Sequence, residues 1–272
     1  METANLYNKR ASIEFYENRY SNHYMHEWPL DKKERIFKLI RSLPLPEYGA
    51  ALDFGCGNGI FTDVLKQALP KWEVSGCDIS EVSVNNAKSK FSECNFFVSN
   101  DEVKNTKKFN FLFTHHVLEH VYDIERCIEE MSDYLLPGSS MFHILPCGNR
   151  DSFEYYIATL RTDGFNEKVG NRLFFEDEGH VRRLTSDELS GLMESVGYSL
   201  QREFYANHKY GSIEWMTRST LRFIKELTDP GKARDGKART SLIQIRRYLL
   251  KEFILRFPSS IFIKAKDPVK PP

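Results

Sequence analysis

Residues 50–59 read Ala-Ala-Leu-Asp-Phe-Gly-Cys-Gly-Asn-Gly, an apolar run that ends in an acid and breaks into three glycines spaced two apart. The apolar run predicts a buried strand. Because glycine has no Cβ, Gly55, Gly57 and Gly59 can adopt positive φ and let a bound molecule lie against the backbone. Apolar residues then recur at helical spacing from position 60 to 69, so the turn opens a helix. A glycine-rich turn between a strand and a helix is typical of a nucleotide-type site.

The same turn excludes one kind of nucleotide. A dinucleotide fingerprint places its third glycine at position 60, where this chain has Ile60. An oxidoreductase that binds a nicotinamide dinucleotide is therefore disfavoured.

Composition sets broad limits on function. The 272 residues include 41% hydrophobic residues and 38 basic against 38 acidic side chains, so the net charge gives no reason to expect nucleic acid or a membrane surface as partner. One segment is an exception, because residues 212–258 hold eleven Lys and Arg against five Asp and Glu. The amino-terminal residues lack the basic-then-apolar order of a signal peptide, and the five cysteines show no CxxC spacing. We expect a cytoplasmic protein with reduced thiols.

Apolar runs and helical patterns alternate along the chain after the first strand. Strands are predicted at residues 72–77, 95–98, 109–114, 140–145, 198–205 and 260–265. Helices are predicted to begin after Ser80, near Asp123 and at a capping box formed by Thr185 and Glu188. The second of these is predicted to run to Leu136 and to stop at the Pro137-Gly138 turn. This alternation predicts an α/β fold with a doubly wound, mostly parallel sheet.

The strand, the motif Asp53-Phe-Gly-Cys-Gly-Asn-Gly59 and Asp78 at the end of the second strand resemble the class I S-adenosylmethionine (SAM) dependent methyltransferases. The segments 116–121, 136–138 and 178–185 look like the branch that includes small-molecule, sugar and ubiquinone-pathway enzymes. The resemblance implies a Rossmann-like sheet of seven strands, SAM as cofactor and S-adenosylhomocysteine (SAH) as product. The predicted domains are an N-terminal helical lid (1–46), the SAM-binding domain (47–211 with 259–268) and a basic helical insertion (212–258).

Each part of SAM needs its own partner. Asp53 is placed to receive the ammonium, and Asp78 to accept both ribose hydroxyls. The resemblance implies further cofactor contacts from the backbone of Gly55, Cys56 and Gly57, from Ile79 on the adenine face, from Asn100 or Asp101 at the adenine amino group, and from Thr114 and His115 below the methyl group.

Three histidines are candidate catalytic bases. His116 comes first, because it follows the fourth strand and a neutral imidazole titrates near working pH. His120 and His180 come next, with Glu119 as an orienting acid; Glu119 and His120 could also serve only as a helix cap and packing. Alternatively His116, Glu119 and His120, with His180 as a fourth, could hold a metal, because their spacing places them on one helical face. We expect no metal.

Two segments outside the motif are predicted to shape the site. Tyr16, Tyr20, Tyr24 and Trp28 are candidate lid residues that close over the cofactor, although they could equally pin a helix on the core. The basic insertion at 212–258 favours an anionic substrate or carrier, a membrane surface or a dimer contact, or else forms a solvated face.

The expected activity is methyl transfer to an oxygen or nitrogen of a small or carrier-linked acceptor, which could be anionic, a sugar or lipid-linked. Nucleic acid is disfavoured as a partner. The alternatives are a metal-dependent RNA 3′-end methyltransferase and a SAM-binding protein without activity.

Overall fold

The computed structural model describes residues 9–99, 106–149, 179–206 and 263–266. The chain divides into two compact units, residues 1–146 and residues 147–272. The predicted contacts of Asn100 and Asp101 and the basic insertion lie outside the described residues. Among the described helices, none is long and apolar enough to cross a membrane. The predicted division into lid, SAM-binding domain and insertion does not follow the boundary between the two units, and it stays a prediction.

The first unit is an α/β structure built on one sheet. Its elements in chain order are α1 (Lys9–Ser21), α2 (Leu30–Arg41), β1 (Ala50–Phe54), α3 (Ile60–Ala68), β2 (Glu73–Asp78), α4 (Glu81–Lys90), β3 (Asn95–Val98), β4 (Phe109–His115), a 3-10 turn (Leu118–His120), α5 (Ile124–Asp133) and β5 (Leu135–Ile144). The five strands are parallel, in the order β3-β2-β1-β4-β5. The predicted alternation and parallel sheet are confirmed.

Both faces of this sheet are covered by helices. On one face, Phe61, Val64 and Leu65 of α3 pack with Ile36 and Ile40 of α2 in one buried cluster. Full burial of each such side chain stabilises the fold by about 1.5–3 kcal/mol. On the other face the ring of Tyr134, at the end of α5, is fully buried against aromatic rings of β1, β3 and β4.

Two boundaries around β5 differ from the prediction. The helix expected to run to residue 136 ends at Asp133, and β5 already begins at Leu135. Leu135 pairs with Phe109, but Phe111 pairs with Ser140, so residues between Leu135 and Ser140 form an irregularity with Gly138 at φ 77°. The Pro-Gly pair that predicts a turn before the strand instead lies within it, because a strand can absorb extra residues in a bulge.

The second unit contains α6 (Ser186–Ser195), β6 (Glu203–Ala206) and β7 (Ile263–Lys266). The predicted capping box is confirmed: the Thr185 hydroxyl accepts a hydrogen bond from the amide of Glu188, and the Glu188 carboxylate accepts one from the amide of Thr185. Strands β6 and β7 pair antiparallel with each other. A single sheet of seven strands stays a prediction.

The strand order fixes where a ligand can bind in the first unit. Strand β1 lies between β2 and β4, so the chain leaves β1 toward one side of the sheet and later returns on the other. Crevices in open α/β sheets form at the carboxyl ends of the strands where the order reverses. The glycine turn after β1 and the histidines after β4 both stand at that edge.

Candidate functional site

The glycine turn folds back onto the end of β2. The amides of Gly55 and Cys56 both donate to the carbonyl oxygen of Cys77, at 2.8 and 2.9 Å. Gly55 and Gly57 adopt φ of 77° and 51°. A Cβ on Gly55 would lie 2.5 Å from a methyl carbon of Val117, and one on Gly57 would lie 2.8 Å from the hydroxyl oxygen of Tyr20. The turn therefore requires glycine both for its backbone angles and for its close neighbours.

Asp78 ties the turn to the second strand. Its Oδ2 accepts a hydrogen bond from the amide of Gly57 at 2.8 Å, and its Oδ1 accepts one from the amide of Ser80 at 3.0 Å. Burial raises the pKa of the Asp78 carboxyl, and these hydrogen bonds act in the opposite direction. The carboxylate is thus held rigidly at the carboxyl end of β2.

Asp53 is a second buried carboxyl group at the same edge, with only 1% of its surface exposed. Its Oδ2 accepts a hydrogen bond from the hydroxyl of Thr62 at 2.6 Å. Burial raises the pKa of Asp53 to about 7; the Thr62 hydrogen bond lowers it, and the nearby Asp78 charge raises it further. Among the described residues neither Asp53 nor Asp78 has an ion-pair partner. Two desolvated acids that lack an ion-pair partner among the described residues favour a cationic ligand.

A cavity of about 370 Å³ lies against these groups, within the first unit. The predicted site residues that line it are Asp53, Gly55, Cys56, Gly57, Asp78, Ile79, His115, His116 and His120. The remaining wall includes residues of α1, of the segment before α2, of the start of α3, of the segment between β4 and α5, and of α5. The sequence motif and the fourth strand end are therefore brought together around one space, as predicted for a binding site.

The aromatic side chains of the N-terminal region line the same cavity, namely Tyr16, Tyr20, Tyr24 and Trp28. Helix α1 is attached beside it at its middle, where the Glu17 carboxylate accepts hydrogen bonds from the amides of Glu81 and Val82 at the start of α4. After α1, the side-chain amide of Asn58 donates to the carbonyl oxygen of Tyr24 at 3.0 Å. The region is thus held by polar contacts to the glycine turn and to α4.

His116 has the most constrained geometry in the site. It adopts φ 56°, which costs a residue with a Cβ about 1–2 kcal/mol, and its amide donates to the carbonyl oxygen of Ile144 at 2.8 Å. Its Nδ1 lies 2.7 Å from Oε1 of the buried Glu119, and its Nε2 lies 3.2 Å from Nζ of Lys32. The imidazole also stacks on Trp28, with ring centroids 6.0 Å apart and planes 17° apart. Strained backbone of this kind concentrates at functional sites.

The other predicted histidines have different surroundings. His115 is buried between aromatic rings, 3.9 Å from the centroid of Phe61, and burial lowers the pKa of its imidazole well below the usual value. His120 packs edge-on against Tyr16, with centroids 5.7 Å apart. His180 belongs to the second unit.

Thr114 does not line the cavity among the described residues. Its hydroxyl instead forms a hydrogen bond with Nδ1 of His143 on the neighbouring strand, at 2.8 Å. Its predicted place beneath a transferable methyl group stays a prediction.

The metal alternative includes His116, and both nitrogens of that ring already have protein partners, Glu119 and Lys32. An ion on His116 would have to displace one of them. The arrangement of Glu119 and His116 instead matches the carboxylate–imidazole pairs that fix a histidine tautomer.

Some site residues were missed by the sequence reasoning. Lys32 contacts His116 and Thr62 contacts Asp53, but no local sequence motif marks either Lys32 or Thr62. Ser99 at the end of β3 and Glu130 on α5 also line the cavity, and the Ser99 hydroxyl donates to Glu130 at 3.0 Å. The Lys32 ammonium lies 3.9 Å from the centroid of the Trp28 ring, but Trp28 precedes α2, so no helical spacing indicates this contact.

Comparison with known proteins gives matches over the part of the chain that holds this site. The family described as "Methyltransferase domain" matches residues 21–203. Juvenile hormone acid O-methyltransferase from Bombyx mori is 28% identical over 156 residues, which cover 54% of this chain and 56% of that protein. Ubiquinone biosynthesis O-methyltransferase from Coxiella burnetii is 32% identical over 157 residues, which cover 55% of this chain and 63% of that protein.

The matched part of the chain therefore spans between half and two thirds of the length of these curated relatives. Among solved structures, the YcgJ protein from Bacillus subtilis superposes with a TM-score of 0.52 at 15% identity, covering 76% of this chain and 88% of that one. This last likeness concerns the fold alone.

Proposed function

The chain belongs to the methyltransferase-domain family, among the class I SAM-dependent methyltransferases, and we propose that it transfers a methyl group from SAM to an oxygen atom of a small acceptor. When bound, SAM supplies an electrophilic methyl group. The role of the chain's own residues is to bind the cofactor, align the acceptor and remove its proton.

The pair of buried acids carries the proposal. Asp53 and Asp78 line one cavity and lack an ion-pair partner among the described residues, so they favour a ligand with positive charge. SAM has an ammonium and a sulfonium group, whereas a dinucleotide has a pyrophosphate, which the buried carboxylate of Asp53 beside the glycine turn would repel. The cavity of about 370 Å³ falls within the usual range for small-ligand sites, about 300–1,000 Å³.

In this proposal each acid has one partner on the cofactor. Asp53, at the end of β1, receives the ammonium, and the backbone of Gly55, Cys56 and Gly57 follows the methionine part. Asp78 accepts the ribose hydroxyls through the oxygen sites left free by the Gly57 and Ser80 amides. Ile79 packs on the adenine ring, and Asn100 or Asp101 binds its amino group.

His116 is the proposed general base. With its proton on Nδ1 and hydrogen-bonded to Glu119, the imidazole presents its lone pair at Nε2. The acceptor hydroxyl would take the place of the Lys32 ammonium at Nε2 and give its proton to that nitrogen. Its oxygen would form the new bond to the methyl carbon as the bond from that carbon to the sulfonium sulfur breaks and SAH leaves. His120 and His180 remain the alternative bases.

Oxygen is proposed rather than nitrogen on two grounds. The two curated relatives described above are both named as O-methyltransferases, one for juvenile hormone acid and one in ubiquinone biosynthesis. In addition, a hydroxyl acceptor needs a base, and the His116–Glu119 pair supplies one. An anionic or carrier-linked acceptor, bound through residues 212–258, stays part of the proposal for that segment, as does a membrane or dimer contact there.

We also propose that α1 and the segment to Trp28 act as the cover of the cofactor site. The support is that Tyr16, Tyr20 and Trp28 line the cavity and that Glu17 and Asn58 hold the region beside it. A helix that only packed on the core would not need to contribute these side chains to the cavity wall.

Calorimetry with SAM, SAH and NAD tests the cofactor, using Asp53→Asn as the variant and Asp63→Asn as the control on an acid outside the cavity lining. SAM and SAH should bind and NAD should not. A screen of phenols, carboxylic acids, sugars and amines, with products identified by mass, then tests the acceptor. Transfer to oxygen supports the proposal. Failure to bind SAM, transfer only to amines, or binding with no transfer to any acceptor overturns it.

A further inference from the structure

We propose that Lys32 is a positioning residue for His116: it holds the imidazole in the tautomer whose lone pair lies on Nε2. The inference rests on the proposed function, in which Nε2 of His116 receives the acceptor's proton. It assigns a role in the reaction to α2, a helix outside the glycine motif.

Lys32 is bound at two points beside the cavity wall. Its Nζ lies 3.2 Å from Nε2 of His116 and 3.9 Å from the centroid of the Trp28 ring. Trp28 in turn stacks on His116 with planes 17° apart, and both aromatic residues line the cavity. The ammonium therefore bridges two rings that are already parallel, which restricts rotation of the imidazole about its Cβ–Cγ bond.

The polarity of the contacts selects one tautomer. An ammonium can only donate hydrogen bonds, so Nε2 must accept, and a carboxylate can only accept, so Nδ1 must carry the ring's proton. The other tautomer would direct an N–H toward the ammonium and a lone pair toward the Glu119 carboxylate. A ring flipped by 180° would place Cδ2 toward Glu119 and Cε1 toward Lys32, and both hydrogen bonds would be lost.

The charge around Lys32 is consistent with this role. Arg35, Glu119 and Asp31 are the charged groups that act on it, and among the described residues no carboxylate lies within ion-pairing distance of its Nζ. Burial lowers the pKa of Lys32 to about 8, and Arg35 acts in the same direction, while Glu119 and Asp31 raise it. The side chain still carries its proton at pH 7, so it can donate.

The same contact bears on the acceptor. An oxygen that approaches Nε2 comes next to the ammonium, which stabilises the negative charge that develops as the proton leaves. A protonated amine at this position would meet a like charge. Lys32 thus favours hydroxyl acceptors over amines at the same ring.

The test is the tautomer of His116, read from the ¹⁵N shifts of the imidazole in histidine-labelled protein at pH 7. Loss of the signal in His116→Gln assigns it. We expect an unprotonated Nε2 and a protonated Nδ1 in the wild type and in Lys32→Arg. In Lys32→Met the signal of an unprotonated Nε2 should weaken, because no ammonium then keeps a proton off that nitrogen. The neighbouring Lys33→Met is the matched control and should match the wild type.

Two results overturn the proposal: a wild-type ring already protonated on Nε2, or a Lys32→Met spectrum identical to the wild type. Circular dichroism checks that each variant is folded, and Lys32→Arg, which keeps the positive charge, should give the wild-type spectrum. Because the spectra are recorded without ligand, they remain decisive if SAM binding, measured separately by calorimetry, fails. With an acceptor in hand, Lys32→Met should lower kcat about 10- to 100-fold with an unchanged KM for SAM, and Lys32→Arg should restore part of it.

Discussion

The backbone amide of Gly57 donates a hydrogen bond across 2.8 Å to the side chain of Asp78, which stands 21 positions later in the chain. One carboxylate therefore shapes the glycine turn and also faces the cavity. Asp78→Asn keeps the size of the side chain but removes its charge, and the amide can turn a donor toward Gly57. Hydrogen bonds to charged groups contribute about 1.5–3 kcal/mol, so we expect the Kd for SAH to rise about 10- to 100-fold in calorimetry.

The matched control is Asp63→Asn, since Asp63 lies on α3 and bonds the side chain of Gln67 at its surface. It should leave the Kd for SAH unchanged. Equal weakening by both variants would mean that charge in general, and not the position of Asp78, supports binding.

The affinity for SAH should depend on pH through Asp53. Its pKa is raised to about 7 in the ligand-free protein, and a cationic ligand stabilises its charged form, so binding releases a proton. Affinity should therefore rise between pH 5 and 7 and level off above. Calorimetry in buffers of different ionisation enthalpy measures the released proton. Asp53→Asn should remove both the release and the slope, and a flat wild-type profile would contradict the assignment.

The stability of the ligand-free protein should follow the opposite trend. A raised carboxyl pKa means that the folded protein binds this proton more tightly than the unfolded chain does. The stabilisation that the protonated Asp53 gives to the folded state is thus fully present below 3.8, the ordinary pKa of the group, and is lost as the pH rises through about 7. Urea unfolding at pH 5 and 7.5 should show a smaller loss of unfolding free energy in Asp53→Asn than in the wild type.

Gly59→Ala and Gly138→Ala should separate backbone strain from crowding. Both positions have positive φ, 78° and 77°, so each alanine costs about 1–2 kcal/mol. A Cβ on Gly59 would also lie 2.9 Å from the Cβ of Ala87 and 3.0 Å from the ring of Phe91, which adds about 1–3 kcal/mol of overpacking. At Gly138 nothing lies within 4 Å. Thermal unfolding should place Gly59→Ala clearly below Gly138→Ala, and similar values would argue against the crowded turn.

Glu17→Ala should loosen the N-terminal region. Its carboxylate supplies the acceptor for two amides at the start of α4, and loss of such a cap costs about 1 kcal/mol. Hydrogen exchange of the α1 amides should accelerate, and SAH should bind more weakly. Glu14→Ala on the same helix removes only an exposed pair with Arg10, about 0.3–0.5 kcal/mol, and should change neither. If both variants behave alike, α1 is not held through Glu17.

The parts of the fold that were predictable from sequence are those encoded locally. The glycine turn, the Ser80 and Thr185 caps and the alternation of strands and helices each depend on residues a few positions apart, and all are present. The start of β5 was not predictable, because Pro137-Gly138 indicates a turn in either case and only pairing with β4 decides that it lies inside a strand.

The candidate site divides in the same way. Asp53 and Asp78 can be identified from the sequence because each ends an apolar run beside or after the glycine motif. The bond between Lys32 and His116 joins positions 84 apart and depends on how α2 packs beside β4, which no short-range pattern records. The hydrogen bond between Thr114 and His143 likewise depends on the register of β4 against β5, which places the two residues side by side.

Trp28 and Trp72 are the tryptophans within the part of the chain that the structure describes, and they stand in contrasting places. Trp28 forms part of the cavity wall, whereas Trp72 is buried, with its indole N–H donating to the carbonyl oxygen of Pro46. Cofactor binding should therefore change the surroundings of the Trp28 indole and leave those of Trp72 unchanged. Intrinsic fluorescence can report occupancy in real time, without a label and before any acceptor is known.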